Sequence, residues 1–424
     1  MVSDAPRTQF ITGFATKDVS KLATGDPVTA THQQQQQQNS HPGIPKIARR
    51  HPDRPLFIIH PGPPKTATTT IQNGLKEFRP QLWEDGFLFP GMMDGHKGGV
   101  YEPAALSNLQ DRRCQQRLVH NETSECWQDF LRELQRLHQA NTSIIISDER
   151  LAEMWWDIKV PGKPKEPTRV FWPALQKAFA VNWDVRVLLS YRRIEDWLPS
   201  VKAEYDRMNG NRKWPASGKR EMQPLFPHVM SLLHDVEDGN GRYKGIETLR
   251  ASYERHFPNS TVIWDLATAR EHGGVLPTLL CDILDGASSA CNSSLSKEIQ
   301  STNAKKDNEM HRIVGQAAVE GLINTTTTRL SRQQAAGKLY QFHTHKLQLT
   351  DKDWPLQCPN RTVLEEVLSA SLALEDRLLE VTKEVQDTHI AGFWKGVAAN
   401  KYCSVNATAV VRNQTYATFF ASLS

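Results

Sequence analysis

The stretch LFIIHPGPPKTATTTIQ, residues 56–72, constrains this chain more than any other. Leu56-Phe57-Ile58-Ile59 is a short apolar run that reads as a buried strand. A Pro/Gly turn follows, then Lys65-Thr66 and a Thr-rich helix start. A strand running through so short a turn into a helix places the helix N-terminus beside the strand's carboxyl end. Helix N-termini present unsatisfied N–H groups and a partial positive charge, which together favour phosphate-like anions. Lys65 adds a full charge there, and the hydroxyls of Thr66, Thr68 and Thr69 add donors.

Further apolar runs repeat the theme. Ser143–Ser147, Val185–Ser190 and Thr261–Trp264 read as strands, with helical patterns between them over Trp127–His138 and Ile246–Phe257. Strands alternating with helices predict an α/β fold with a central parallel sheet and helices on both faces. Beyond Leu276 the pattern is nearly all helical, and Leu364–Val381 has the spacing of a helix packed against the sheet. Segments 204–230 and 325–358 read as loops, and the His343/His345/Lys346 group in the second reads as solvated surface, not a metal site. Residues 1–53, with six consecutive glutamines at 33–38 and no apolar period, read as a disordered tail or stem. The expected organisation is therefore a tail over 1–53, an α/β core over 54–270 and a helical extension over 271–424.

Composition narrows the function classes. Lys plus Arg number 51 against 47 Asp plus Glu, too even a balance for a polybasic nucleic-acid binder. No run approaches the ~18 apolar residues of a membrane span, and no apolar signal region is visible near the start. Two finer counts nonetheless point to a secretory lumen. Eight of the eighteen asparagines open an N-x-[ST] sequon: Asn121, Asn141, Asn259, Asn292, Asn324, Asn360, Asn406 and Asn413. Chance would give about two or three, so N-glycosylation in the Golgi lumen or on a secreted protein is expected. The six cysteines fall into Cys114/Cys126, Cys281/Cys291 and Cys358/Cys403 by spacing, one of fifteen connectivities.

The loop is not that of a nucleotide triphosphatase. The pattern G-x-x-x-x-G-K-[ST] needs glycine where Ile59 and Pro64 stand, and Pro64 has no N–H to give a phosphate. The strand ending Leu188-Leu189-Ser190-Tyr191-Arg192-Arg193 also lacks a terminal Asp for magnesium. A P-loop kinase-like phosphotransferase is thus the weaker enzyme reading.

The loop of Pro61, Gly62, Lys65, Thr66, Ala67, Thr68 and Thr69, with Arg192 and Ser200 eight residues apart in YRRIEDWLPS, resembles the sulfotransferases that use 3′-phosphoadenosine 5′-phosphosulfate (PAPS). The likeness is greatest to their lumenal, glycan-modifying branch and covers roughly residues 54–270. It implies a P-loop-like three-layer fold and transfer of a sulfuryl group to an acceptor hydroxyl, of a carbohydrate for preference. PAPS is then the donor, and no metal is needed. The same resemblance places the 5′-phosphosulfate on the loop and the 3′-phosphate on Arg192 and Ser200, with Arg193 adjacent. A salt bridge to Glu195 or Asp196 is the alternative for the two arginines. Lys65 is the expected catalytic cation. For the base, His96 stands first, its ordinary pKa of about 6.5 suiting lumenal pH, and Glu149 second, with Asp148 beside it. His60 could simply line the loop. From a different class, a secreted glycoprotein that keeps the fold without activity also fits.

Overall fold

The computed structural model describes residues 44–47, 49–51, 53–63, 65–90, 125–149, 151, 168–179, 182–201, 214, 245–296, 306–379 and 381–424. All of them belong to one unit, Gly43–Ser424.

Its sheet is built from β1 (Leu56–His60), β2 (Phe87–Leu88), β3 (Ser143–Ser147), β4 (Asp184–Tyr191) and β5 (Thr261–Asp265). Every pairing is parallel, in the order β2-β3-β1-β4-β5. Because side chains alternate across a strand, the sheet has two faces and buries both. Phe57 and Ile59 join Ile144, Ile146, Val187 and Leu189 in one core. Leu56 and Ile58 join Ile145, Leu188 and Trp264 in the other.

Helices cover each face. On the first lie α3 (Glu125–Gln139), α4 (Thr168–Phe179) and α5 (Ile246–Glu254); α3 presents Trp127, Phe130, Leu134 and Leu137, the spacing of one helical stripe. On the second lie α1 (Thr68–Glu77), α2 (Arg79–Glu84), α6 (Leu266–Glu271) and α7 (Ser288–Leu295), contributing Ile71, Leu75, Leu82, Ala269 and Ala290. The expected α/β architecture is therefore present. The strand Phe87–Leu88 escaped the sequence reading because two residues carry no period.

The later chain is helical, as its pattern suggests, and forms two further cores. Helices α8 (Lys306–Val319), α9 (Arg332–Gln341), α12 (Ala407–Arg412) and α13 (Gln414–Ala421) pack around Ile313, Val314, Leu339, Val410 and Phe420. Helices α10 (Arg361–Leu379) and α11 (Lys383–Ala398) pack Leu364, Val367 and Phe393 against Ile194, Leu198 and Val201 of a helix over 194–201. Leu378 of α10 reaches the first sheet core, which gives that helix the sheet contact its sequence implies. A small antiparallel ribbon, β6 (Leu356–Gln357) with β7 (Ser404–Val405), closes this region.

One expectation fails here. Segment 325–358 is not a loop: α9 runs through it, started by a capping box in which Ser331 and Gln334 exchange hydrogen bonds. His343 is not solvated surface either. It is fully buried, stacked 3.6 Å from Trp354, with Nδ1 2.6 Å from the Tyr416 hydroxyl. The polar residues that suggested a loop lie on the outer side of α9, while Ala335, Ala336 and Leu339 face inward.

Disulfides join Cys281 to Cys291 and Cys358 to Cys403, as their spacing suggests; Cys114 lies outside the described residues. Among the described residues no helix is long and apolar enough to cross a membrane. The disulfides fit a secreted or lumenal protein. Of the sequon asparagines other than Asn121, which lies outside the described residues, all are exposed except the half-buried Asn406. Asn141 and Asn259 sit in left-handed turns, at φ 50° and 56°, two residues before β3 and β5 at the sheet's amino edge.

Candidate functional site

The site assembles at the opposite, carboxyl edge. From β1 the chain moves outward to β2 and back to β3, then crosses to β4 and continues to β5 on the far side. The crevice beyond β1 and β4 is therefore the switch point at which open parallel sheets bind ligands.

The loop 61–67 fills one side of this crevice. Lys65 and Ala67 both have left-handed backbones, at φ 68° and 60°, a conformation that costs a non-glycine residue about 1–3 kcal/mol and collects at functional sites. Thr66 closes the turn, its N–H and hydroxyl both donating to the Pro63 carbonyl at 3.2 and 2.6 Å. Helix α1 then starts from Ala67, which offers no side-chain cap, and its first turn carries no acid. The loop also has no room to spare: a Cβ on Gly62 would lie 2.0 Å from Thr68 Oγ1. That same Thr68 oxygen is buried without a hydrogen-bond partner.

Arg192 fills the other side. It follows β4 and donates from Nη1 to the Lys65 carbonyl at 2.8 Å, across 127 residues of sequence. Its Nε is buried with no partner. Burial lowers its pKa, an effect partly opposed by Asp196. An uncapped helix start, a lysine and an arginine thus meet at one crevice, and Thr68 Oγ1 and Arg192 Nε lie buried beside it without partners. A cavity of about 220 Å³ opens beside them, reached by Pro63, Thr66, Tyr191, Arg192, Trp197 and Leu374. Such an arrangement can hold a phosphate or sulfate group by charge-assisted hydrogen bonds.

Comparison with protein-family models, curated proteins and solved structures returned no match.

The other expected residues fall in different places. Arg193 is turned away from the loop: Nε lies 3.2 Å from Glu375 Oε1 and Nη2 3.9 Å from Asp265 Oδ2. Burial would lower its pKa, but Asp265 and Glu375 raise it. It is a salt-bridged arginine, with partners more distant in sequence than Glu195 or Asp196. Ser200 lies on the 194–201 helix and donates its hydroxyl to the Asp196 carbonyl at 2.8 Å, so phosphate binding would require it to rotate. Glu149 is half-buried just past β3, beside the loop-bearing strand, and Asp148 donates its N–H to the His60 carbonyl at 3.1 Å. His96 lies outside the described residues.

A polar belt beneath the loop had no signal in the sequence beyond its strand-end residues. His60, wholly buried, has Nδ1 2.7 Å from Ser147 Oγ and Nε2 3.0 Å from Ser190 Oγ. Trp264 Nε1 donates to the same Ser190 oxygen at 2.9 Å. The belt ties β3, β1, β4 and β5 together where the loop leaves the sheet, and burial lowers the His60 pKa to about 4. His60 is therefore a neutral structural residue under the loop.

Proposed function

We propose that the protein is a sulfotransferase that takes a sulfuryl group from PAPS to an acceptor hydroxyl, of a lumenal glycan for preference. The observation that carries this reading is the Arg192–Lys65 hydrogen bond. It joins the strand-end arginine to the uncapped loop, so two anionic groups of one donor can bind within a single crevice. The P-loop-like character belongs to this reading, as does the Golgi or secreted setting to which the sequons and disulfides point.

In this mechanism the α1 N-terminus and the orphaned Thr68 hydroxyl hold the 5′-phosphate, with Thr66, Thr69 and the Pro61–Gly62 backbone shaping the cradle. Arg192 holds the 3′-phosphate, assisted by Ser200 once its hydroxyl turns; Arg193 holds the arginine-bearing turn instead of a phosphate. Transfer moves sulfur in line between two oxygens. The acceptor oxygen forms the new S–O bond, the bridging S–O bond breaks, and its electron pair leaves with the 5′-phosphate. Lys65 stabilises that leaving oxygen, and cationic stabilisation of this kind dominates catalysis of the related phosphoryl transfers. The acceptor proton passes to Glu149 or His96. No step requires a metal.

Thermal shift separates this reading from a kinase-like one. 3′-Phosphoadenosine 5′-phosphate at 100 times its Kd should stabilise by about 2.7 kcal/mol, whereas ATP with magnesium should not. Stabilisation by ATP-magnesium alone would sink the proposal. Binding of the donor product without labelled sulfate transfer to any glycan would favour an inactive binding protein. Lys65→Ala should abolish transfer while the fold survives.

A further inference from the structure

The residues that follow Arg192 in the chain face the other way, into the C-terminal helices. Arg193 pairs with Glu375 of α10, and the Ser371 hydroxyl of the same helix accepts the Ile194 N–H at 3.2 Å. Glu195 meets His389 of α11, with Oε1 2.7 Å from Nε2, and the other imidazole nitrogen, Nδ1, lies 2.8 Å from Glu375 Oε2. Asp196 receives Lys401 Nζ at 2.8 Å, just past α11. Residues 193–196 are thus each tied to the helical extension, while Arg192 reaches the loop.

The imidazole is the centre of this clamp. Glu195, Glu375 and His389 are all buried, at 3%, 1% and 1% exposure. A histidine whose two nitrogens both face carboxylate oxygens satisfies both only as a double donor. The clamp therefore alternates in charge from Asp265 through Arg193, Glu375 and His389 to Glu195. The second Glu195 oxygen, Oε2, is buried with no partner, so the Glu195 carboxylate depends on the His389 imidazole to offset its burial.

We propose that His389, with Glu195 and Glu375, is a positioning residue for the donor site: it fixes the 192–201 segment so that Arg192 stays on the Lys65 carbonyl. This rests on the reading of Arg192 as a phosphate ligand. The charged and titratable groups around the imidazole are Glu195 and Asp196 of the 194–201 helix, Glu375 of α10, Arg193 and Tyr191 around the end of β4, Asp265 of β5, and Lys401 and Tyr402 beyond α11. Burial alone would lower the His389 pKa, but the hydrogen bonds to Glu195 and Glu375 raise it to about 9. The clamp therefore holds its proton through neutral pH and loses it as pH rises through that value.

The test titrates 3′-phosphoadenosine 5′-phosphate into wild type, His389→Gln and Glu195→Gln from pH 6.5 to 10, with hydrogen exchange of 192–201 followed in parallel. At pH 7 each variant should bind about tenfold more weakly, with the donor KM raised about tenfold and kcat within twofold. Exchange at 192–201 should quicken while β1 stays protected. The gap between wild type and His389→Gln should close above pH 9. Equal affinity and unchanged exchange at 192–201 would overturn the clamp, as would a gap that does not change with pH. If His389→Gln does not fold, Glu195→Gln carries the comparison. If wild type itself binds no nucleotide, the sulfotransferase reading fails; quickened exchange at 192–201 then still upholds the clamp, and unchanged exchange overturns it.

Discussion

At the scale of single residues, the loop is defined as much by a missing atom as by its cations. Gly62 packs so closely on Thr68 that Gly62→Ala would drive Cβ to 2.0 Å from the hydroxyl oxygen. The overpacking should cost about 1–3 kcal/mol, read as a lower urea midpoint, and should weaken donor-product binding because the displaced threonine opens α1. His60 makes an opposite kind of demand. It remains neutral in the fold down to about pH 4, whereas the unfolded chain protonates it near 6.5. Its burial carries no penalty above 6.5; below that, stability is lost down to about pH 4, by about 3 kcal/mol in all. Urea unfolding at pH 7 and 4.5 should show a smaller drop for His60→Gln than for wild type. The loop's cations were legible in the sequence because Lys65 follows a strand across a short Pro/Gly turn and Arg192 comes just past the end of another. The partners of His60 were not. Ser147 and Ser190 become its neighbours only through the order of parallel strands, which no local pattern encodes.

Among the elements, long apolar periods were readable and composition misled. Helix α3 announced itself through one stripe, while α9 hid behind the exposed Gln333, Gln334 and Lys338 of its outer side. Helix α10 was visible as a helix and α11 only as part of a nearly all-helical stretch, yet their role in holding Arg193 and Glu195 was not, because the partners lie 182 and 194 residues away. The Cys358–Cys403 disulfide spans 45 residues and encloses both helices. Removing a cross-link of that span costs about 4 kcal/mol in the chain-entropy account. The paired change Cys358→Ser with Cys403→Ser should lower the melting temperature and, through the clamp, weaken donor-product binding more than the Cys281/Cys291 pair does.

For the whole molecule, the cores do not divide as the chain does. Helix α10 is sequence-distant from the sheet but shares its core through Leu378, so it should open with β4. The core of α8, α9, α12 and α13 is separate, with Trp214 the one described hydrophobic residue before α8 packed on it. Native-state hydrogen exchange in low denaturant should therefore show those four helices opening at lower free energy than β1, β3, β4 and α10. A single common opening free energy would refute that division.

The bond between Lys65 and Arg192, and the clamp at His389 behind it, also set a schedule for biogenesis. A ribosome adding about 5–20 residues per second completes His389 roughly 16–65 s after Lys65. Through that interval residues 61–67 are on the nascent chain without the residues that hold the far wall of their crevice. The crevice is thus among the last parts of the protein to be finished. A chain arrested shortly before α11 would carry its lysine but lack the clamp that keeps Arg192 in place.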